Sequence, residues 1–368
     1  MRGIYVHIPF CRGKCPYCGF YSVRGTPELM DAYRDALIRE TDSYSGSGIS
    51  ADTVYFGGGT PSVFGGRTAE ILRRIKDVFC ISEDAEITME CNPSSCTEEV
   101  VASAVSAGVN RISLGLQSAV DGERRALGRT AGADGAVAAV GLCRKYGVKN
   151  LSLDLMIGIP EQTRESLRSS LDLCARLGAE HISVYMLQIE EGTFFYKNRD
   201  RLSLPDEDLC EKLYFDVCST LASRGYGHYE ISNFALPGYE SRHNTKYWNC
   251  DEYLGFGASA HSFMNGRRYY YSESVGDYIA GKEPVPDGDG GGVEEYLMLR
   301  LRLAEGVRYG EFERRFGRPL PRAYKKAAGN IGGGLVKMDE NGFSLTEKGF
   351  MVSNAVIGKI LFPGQTED

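Results

Sequence analysis

Three thiols lie close together near the start of the chain: Cys11, Cys15 and Cys18 in "IYVHIPFCRGKCPYCGFYS", spaced C-x3-C-x2-C. Thiolates are soft donors that select zinc, copper(I) or iron–sulfur clusters. A structural zinc takes four ligands, usually as two separated pairs, whereas this loop supplies three and no second cysteine pair lies nearby in sequence. An iron–sulfur cluster with one iron left without a cysteine accounts better for the count. Gly13, Pro16 and Gly19 let the loop wrap a bulky inorganic object with backbone N–H groups turned inward. The last iron then needs a ligand from outside the loop.

Polar residues suited to a bound cofactor recur downstream: "GGGTP" at residues 57–61, Glu90 in "MECNP", Gln117 in "GLQS", Arg129 in "LGRT" and Asp154 in "LDLMIGIP". Gly57, Gly58 and Gly59 are expected to let strand-edge groups approach a ligand that a Cβ would hold off. The elements that position these residues are short apolar runs alternating with amphipathic segments from Gly3 to about Ile189. Helices are predicted over 27–44, 67–79, 97–107, 134–146 and 163–177, with Thr97 and Thr163 as start signals. Strands alternating with helices give βαβ units and a parallel sheet. The polar residues fall at the C-terminal ends of the strands, the rim on which (β/α) barrels build their sites. The expected fold is therefore α/β, a partial (β/α)6 TIM-like barrel over 1–205.

A helix over 206–224 and an aromatic stretch, "SRHNTKYWNCDEYLGFGASAHSF", follow as a barrel extension to residue 282. "EPVPDGDGGG", 283–292, reads as a linker because Pro, Gly and Asp disfavour regular structure. A smaller α+β domain over 293–368, with a winged-helix-like hairpin, completes the chain. The 368 residues carry a net charge of −7, which argues against non-specific binding to nucleic acid or anionic membranes. No apolar run reaches the roughly 18 residues that suggest a membrane span, and no secretory signal is evident. An odd total of 11 scattered cysteines fits a reducing cytoplasm.

C-x3-C-x-Y-C after a first strand, followed about forty residues later by "GGGTP", resembles the signature of the radical S-adenosylmethionine superfamily. The resemblance implies a [4Fe-4S] cluster on Cys11, Cys15 and Cys18, with the fourth iron chelated by the amino and carboxylate groups of S-adenosylmethionine. It implies one-electron cleavage of a carbon–sulfur bond in that cofactor. The rim is similar to the branch typified by oxygen-independent coproporphyrinogen III dehydrogenase. That likeness implies S-adenosylmethionine contacts at Tyr5, Gly58, Gly59, Glu90, Gln117, Arg129 and Asp154. A second S-adenosylmethionine contacts the positions matching Tyr17, Gly59 and Thr60 in that enzyme.

Two departures separate the chain from the dehydrogenase. Phe20 stands where that enzyme has a fourth cysteine, and Tyr5 lies almost at the start, without its N-terminal extension. "YEISNFA", "SRHNTKYW" and "YLGFGASAHS" resemble HemW-type heme chaperones instead. This implies a heme-binding protein that hands heme to an acceptor hemoprotein, with a flavodoxin- or ferredoxin-like electron donor and room for peripheral membrane association. Radical chemistry on a tetrapyrrole stays open as the alternative, so the chain is not assigned as an enzyme. His243 is an expected axial ligand to heme iron, with Tyr247 and Trp248 as flat surface for the porphyrin. Equally open is a His243 that hydrogen-bonds within its own segment while Trp248 fills core between domains. His7 and His261 are more readily core histidines. Basic residues in "RYGEFERRFGRPLPRAYKK" are balanced by Glu311 and Glu313, so no nucleic-acid partner is expected.

Overall fold

The computed structural model describes residues 1–129 and 132–362; the last six residues of the expected C-terminal domain lie outside it. Six strands, β1 (Arg2–Ile8), β2 (Ser50–Gly58), β3 (Cys80–Cys91), β4 (Arg111–Gln117), β5 (Asn150–Ile157) and β6 (His181–Met186), pair side by side and parallel in chain order. Strand side chains alternate between the two faces. One face is apolar and forms core with the helices, as with Ile4, Val6, Val54, Phe56, Ile112, Leu114, Leu151 and Leu153. The other face, the barrel interior, carries Tyr5, His7, Tyr55, Thr88, Glu90, Ser113, Ser152 and Asp154. This polar lining is where the cofactor-type residues were expected.

Helix ends follow their sequence signals. Thr97 caps Glu98–Ala107, Asp206 caps Glu207–Ser223, and Thr163 forms a reciprocal capping box with Ser166. Each oxygen satisfies a backbone N–H that the first helical turn leaves without a partner.

The sheet continues beyond the six strands at both ends. β7 (Gly227–Glu230) and β8 (Asn233–Ala235) form a hairpin whose second strand runs antiparallel to β6. On the opposite edge β9 (Tyr253–Phe256) pairs parallel with β1, followed by β10 (His261–Met264), β11 (Arg267–Tyr270) and β12 (Val285–Asp289). The result is one 12-stranded sheet, ordered β12-β11-β10-β9-β1-β2-β3-β4-β5-β6-β8-β7. Among the described residues its two edges do not pair, so the barrel is open.

The segment expected to be a linker contains β12, paired with β11 at Tyr270↔Val285 and Tyr269↔Pro286. Pro286 is tolerated because an edge strand needs hydrogen bonds on only one side, and β12 is exposed throughout.

The C-terminal part begins with helix Val293–Arg300 and contains a separate sheet of β13 (Val307–Arg308), β14 (Val336–Met338) and β15 (Gly342–Leu345), ordered β13-β15-β14. Helices Tyr309–Phe316, Arg322–Gly329, Glu347–Met351 and Ser353–Leu361 accompany it. Two backbone bonds tie this part to the barrel edge, Ile231 N to Arg302 O and Ala304 N to Tyr229 O, both 2.9 Å.

Candidate functional site

The cysteine loop leaves the C-terminal end of β1 and is pinned at both feet. Cys11 N donates to Val23 O at 3.0 Å and Val23 N to Pro9 O at 2.8 Å. Gly59 N reaches Ile8 O and Thr60 N reaches Phe10 O, each at 2.9 Å, so the turn after β2 holds the loop's start against the barrel. Cys11 Sγ lies 3.3 Å from Thr60 Oγ1. All three cysteines are free thiols, partly buried, and they line one cavity of about 330 Å³.

The glycines at residues 57–59 are required by the protein's own packing, a constraint separate from the expected approach to a ligand. A Cβ on Gly59 would meet Pro9 C at 2.9 Å and Ile8 O at 3.0 Å; one on Gly58, whose φ is +110°, would meet the His7 ring at 2.6 Å. At Gly57 it would lie 3.2 Å from Glu90 Oε1 and from Tyr5 Cε2. Close approach is required between strands and side chains of this chain.

Around the thiols the wall is cationic. Arg12, Lys14, Arg124 and Arg129 line the cavity, and no carboxylate does so among the described residues. Arg129 Nη2 donates to Tyr17 Oη at 2.9 Å, which fixes its guanidinium beside the cysteine loop. An adjoining cavity of about 410 Å³ shares Tyr17, Cys18, Gly59, Thr60 and Arg129 and runs onto the polar barrel interior. There Glu90 and Asp154 bring carboxylates into the barrel interior, while Glu190, in the loop after β6, lies at the rim against Gly19. Tyr55 Oη donates to Glu90 Oε1 at 2.7 Å, and Ser113 Oγ to Asp154 Oδ1 at 3.0 Å. Burial, partly opposed by the Tyr55 hydrogen bond, pushes the Glu90 carboxyl up to about 7. Burial also raises Asp154 against the hydrogen bonds it accepts from serines.

Gln117 reaches this space through an unusual backbone. Its φ of 67° lies in the left-handed region, at a register shift where β4 and β5 pair Gly115↔Asp154 and Gln117↔Leu155. Such strain persists where surrounding structure overdetermines it, commonly at functional sites.

Tyr17, Gly58, Gly59, Thr60, Glu90, Gln117, Arg129 and Asp154 thus line one continuous double cavity with Cys11, Cys15 and Cys18. Tyr5 sits outside that lining, with its hydroxyl 3.0 Å from His7 Nδ1 and its ring stacked near Tyr55. Sequence reading passed over Ser113, Met156, Gln188 and Glu190, which also line the cavity. Ser113 had a signal, since it shares a strand face with Gln117 two positions beyond Gly115; Gln188 and Glu190 follow β6 in a loop without a pattern. His261 is exposed and stacked on Tyr270, not buried as expected.

His243, Tyr247 and Trp248 lie elsewhere. They belong to helix Arg242–Trp248, at the N-terminal end of the barrel, where His243 meets Gly3 and Thr53. His243 is 0% exposed. Its Nδ1 is 2.8 Å from Thr53 Oγ1 and its Nε2 2.8 Å from Tyr247 Oη. The expected accessible axial ligand is therefore absent from this conformation, because both ring nitrogens and the whole ring are engaged in packing. Trp248 sits at the junction with the C-terminal part, under the Arg302 guanidinium at 5.9 Å.

The three-thiol loop suits a [4Fe-4S] cluster on its donor chemistry: three soft ligands converge on one cavity and no fourth cysteine or histidine lines it among the described residues. An open (β/α)6 barrel with such a loop on its C-terminal rim defines a radical S-adenosylmethionine protein. The Radical SAM superfamily model matches residues 5–174 and the HemN C-terminal domain model matches 293–352. Heme chaperone HemW of Lactococcus lactis is 35% identical, over 97% of this chain and 96% of that protein. Heme chaperone HemW of Bacillus subtilis is 34% identical over 98% and 99%, and that of Escherichia coli 34% over 84% of each. The chain belongs to the HemW family. Its fold is shared with coproporphyrinogen III oxidase (HemN) from Escherichia coli, at a TM-score of 0.82 and 21% identity over 98% of this chain and 90% of that one.

Proposed function

We propose that this protein is a heme chaperone whose rim holds a [4Fe-4S] cluster and S-adenosylmethionine. What carries the cofactor reading is the charge reversal along the double cavity. Arg12, Lys14, Arg124 and Arg129 stand beside the thiols and the Glu90 and Asp154 carboxylates stand deeper in the barrel, which matches an anionic cluster and the carboxylate of a methionyl group at one end and amino and ribose hydrogen-bond donors at the other. Arg129, held by Tyr17, would clamp the methionyl carboxylate, while Glu90 and Asp154 would accept hydrogen bonds from the amino group and ribose. When bound and reduced, the cluster would supply one-electron chemistry to the sulfonium. The chain's own contribution is to orient these groups and keep water from them.

The heme-binding part rests on membership of the HemW family. His243, Tyr247 and Trp248 can serve as heme contacts only after helix Arg242–Trp248 leaves its berth, since His243 has no free nitrogen as packed. An acceptor hemoprotein and a small electron-transfer protein are the partners this role requires.

The test uses anaerobically reconstituted protein. S-adenosylmethionine should alter the paramagnetic spectrum of the reduced cluster, and heme should bind with a Soret band that changes in His243→Ala. An unchanged band and affinity would remove His243 as ligand, and no heme binding by wild type would sink the chaperone reading. Formation of protoporphyrinogen from coproporphyrinogen III under the same conditions would replace it with an oxidative decarboxylase.

A further inference from the structure

Three metal-ligating side chains meet far along the sheet from the cysteine loop, where the C-terminal part lies against the barrel. Cys218 comes from helix Glu207–Ser223, His228 from β7 and Glu347 from the first turn of helix Glu347–Met351. One ligating atom of each lies within 4.8 Å of the other two. Cys218 Sγ is 4.0 Å from His228 Nδ1, the outer limit of a hydrogen bond to sulfur.

The two buried groups are held in place by packing. The His228 ring is clamped between Phe234, stacked at 4.2 Å, and Phe350 at 5.2 Å. Cys218 is 3% exposed, with the buried Tyr214 hydroxyl beside its thiol. His228 Nε2 is buried without a hydrogen-bond partner among the described residues, with the backbone of Glu230 and Ile231 near the ring. Buried polar atoms normally find partners. Glu347 is exposed and opens the cluster to solvent.

We propose that Cys218, His228 and Glu347 hold a thiophilic divalent ion, zinc by its donor set, which clamps the C-terminal domain to the barrel. Zinc takes thiolate sulfur at about 2.3 Å and imidazole or carboxylate atoms at about 2.0–2.2 Å, so tetrahedral ligand atoms stand roughly 3.3–3.6 Å apart. The Cys218–His228 pair needs to close by only about 0.4 Å to meet that spacing. Glu347, on the surface, has the rotamer freedom to complete it. Water takes the fourth position, and binding releases the Cys218 thiol proton to solvent. The ion bridges residues of three elements, two on the barrel side and one on the C-terminal side. The site is independent of the cluster, of S-adenosylmethionine and of heme.

Full-length, cluster-loaded protein would be equilibrated anaerobically with one equivalent of zinc, dialysed, and assayed for zinc and iron per chain. Wild type and Cys80→Ser, which alters an exposed cysteine, should retain one zinc; Cys218→Ser should lose it, and Glu347→Gln should bind about tenfold more weakly. Glu347→Gln changes only an exposed side chain, so its result stands even if Cys218→Ser folds poorly. X-ray absorption at the zinc edge should show one sulfur with nitrogen and oxygen. No retained zinc in wild type, equal zinc in all variants, or a sulfur-rich shell from the Cys11 loop would each overturn the site.

Discussion

Gly59 shows what the rim demands of a single residue. A methyl group there would press on the backbone of Ile8 and Pro9, which cannot move without shifting the foot of the cysteine loop. Gly59→Ala is expected to lower stability by about 1–3 kcal/mol, the usual cost of overpacking, and to reduce iron and sulfide bound per chain. Gly122→Ala, with nothing within 4 Å of the new Cβ, should leave both measurements unchanged. Glu90 makes a second residue-scale expectation. Its carboxyl titrates near 7, so it is mostly neutral at pH 6 and mostly ionised at pH 8. Affinity for S-adenosylmethionine, whose amino N–H would donate to the ionised Glu90, should therefore rise across that interval and level off above it. Calorimetric titrations of Glu90→Gln should show no such rise; an identical pH profile would remove Glu90 from the contact.

At the scale of elements, helix Arg242–Trp248 works as a plug. Its backbone is held by Glu86, whose carboxylate accepts from Arg242 N at 3.0 Å and from His243 N at 3.1 Å. Burial of the His243 ring lowers its pKa to about 3, so the ring stays neutral at physiological pH and does not bring a charge into the barrel. His243→Ala removes two hydrogen bonds and leaves a cavity, with Thr53 and Tyr247 short of a partner. A loss of about 2–4 kcal/mol in urea unfolding is expected. Any weakening of heme binding in this variant has to be read against that loss. The sequence read "SRHNTKYW" only as an aromatic stretch; the structure makes it a helix capped by Ser241, and its burial was not legible because seven residues carry no record of which strands they will meet.

Across the whole molecule, long-range contacts join the segment that follows β11 to the first helix. Glu40 of helix Pro27–Asp42 accepts hydrogen bonds from Tyr271, at 2.6 Å, and from Tyr278. Burial outweighs these bonds and pushes its carboxyl up to about 7. A folded-state value above the ordinary 4.5 means that the native protein holds this proton to higher pH than the unfolded chain does. Its contribution is therefore full below about pH 4.5 and is lost as pH rises towards 7. Comparing denaturation midpoints at pH 5 and pH 8, Glu40→Gln should show a smaller decline than wild type. An equal decline would assign the pH dependence to other groups, such as Glu230, whose carboxyl burial also raises to about 7.

The cysteine spacing, the βα rhythm and the polar residues at strand ends were readable in the sequence because each is a local pattern. Three thiols on one loop, alternation along a strand and caps at helix starts depend on neighbours within a few positions. The helix ends that were read from caps fell within two residues of the structure. Tertiary structure alone decided that β9 flanks β1, that Glu283–Gly292 contributes a strand, that His243 is sealed inside, and that Cys218, His228 and Glu347 meet. Those facts arise from contacts between residues tens to hundreds of positions apart, and the identity of a side chain does not specify which distant surface will cover it.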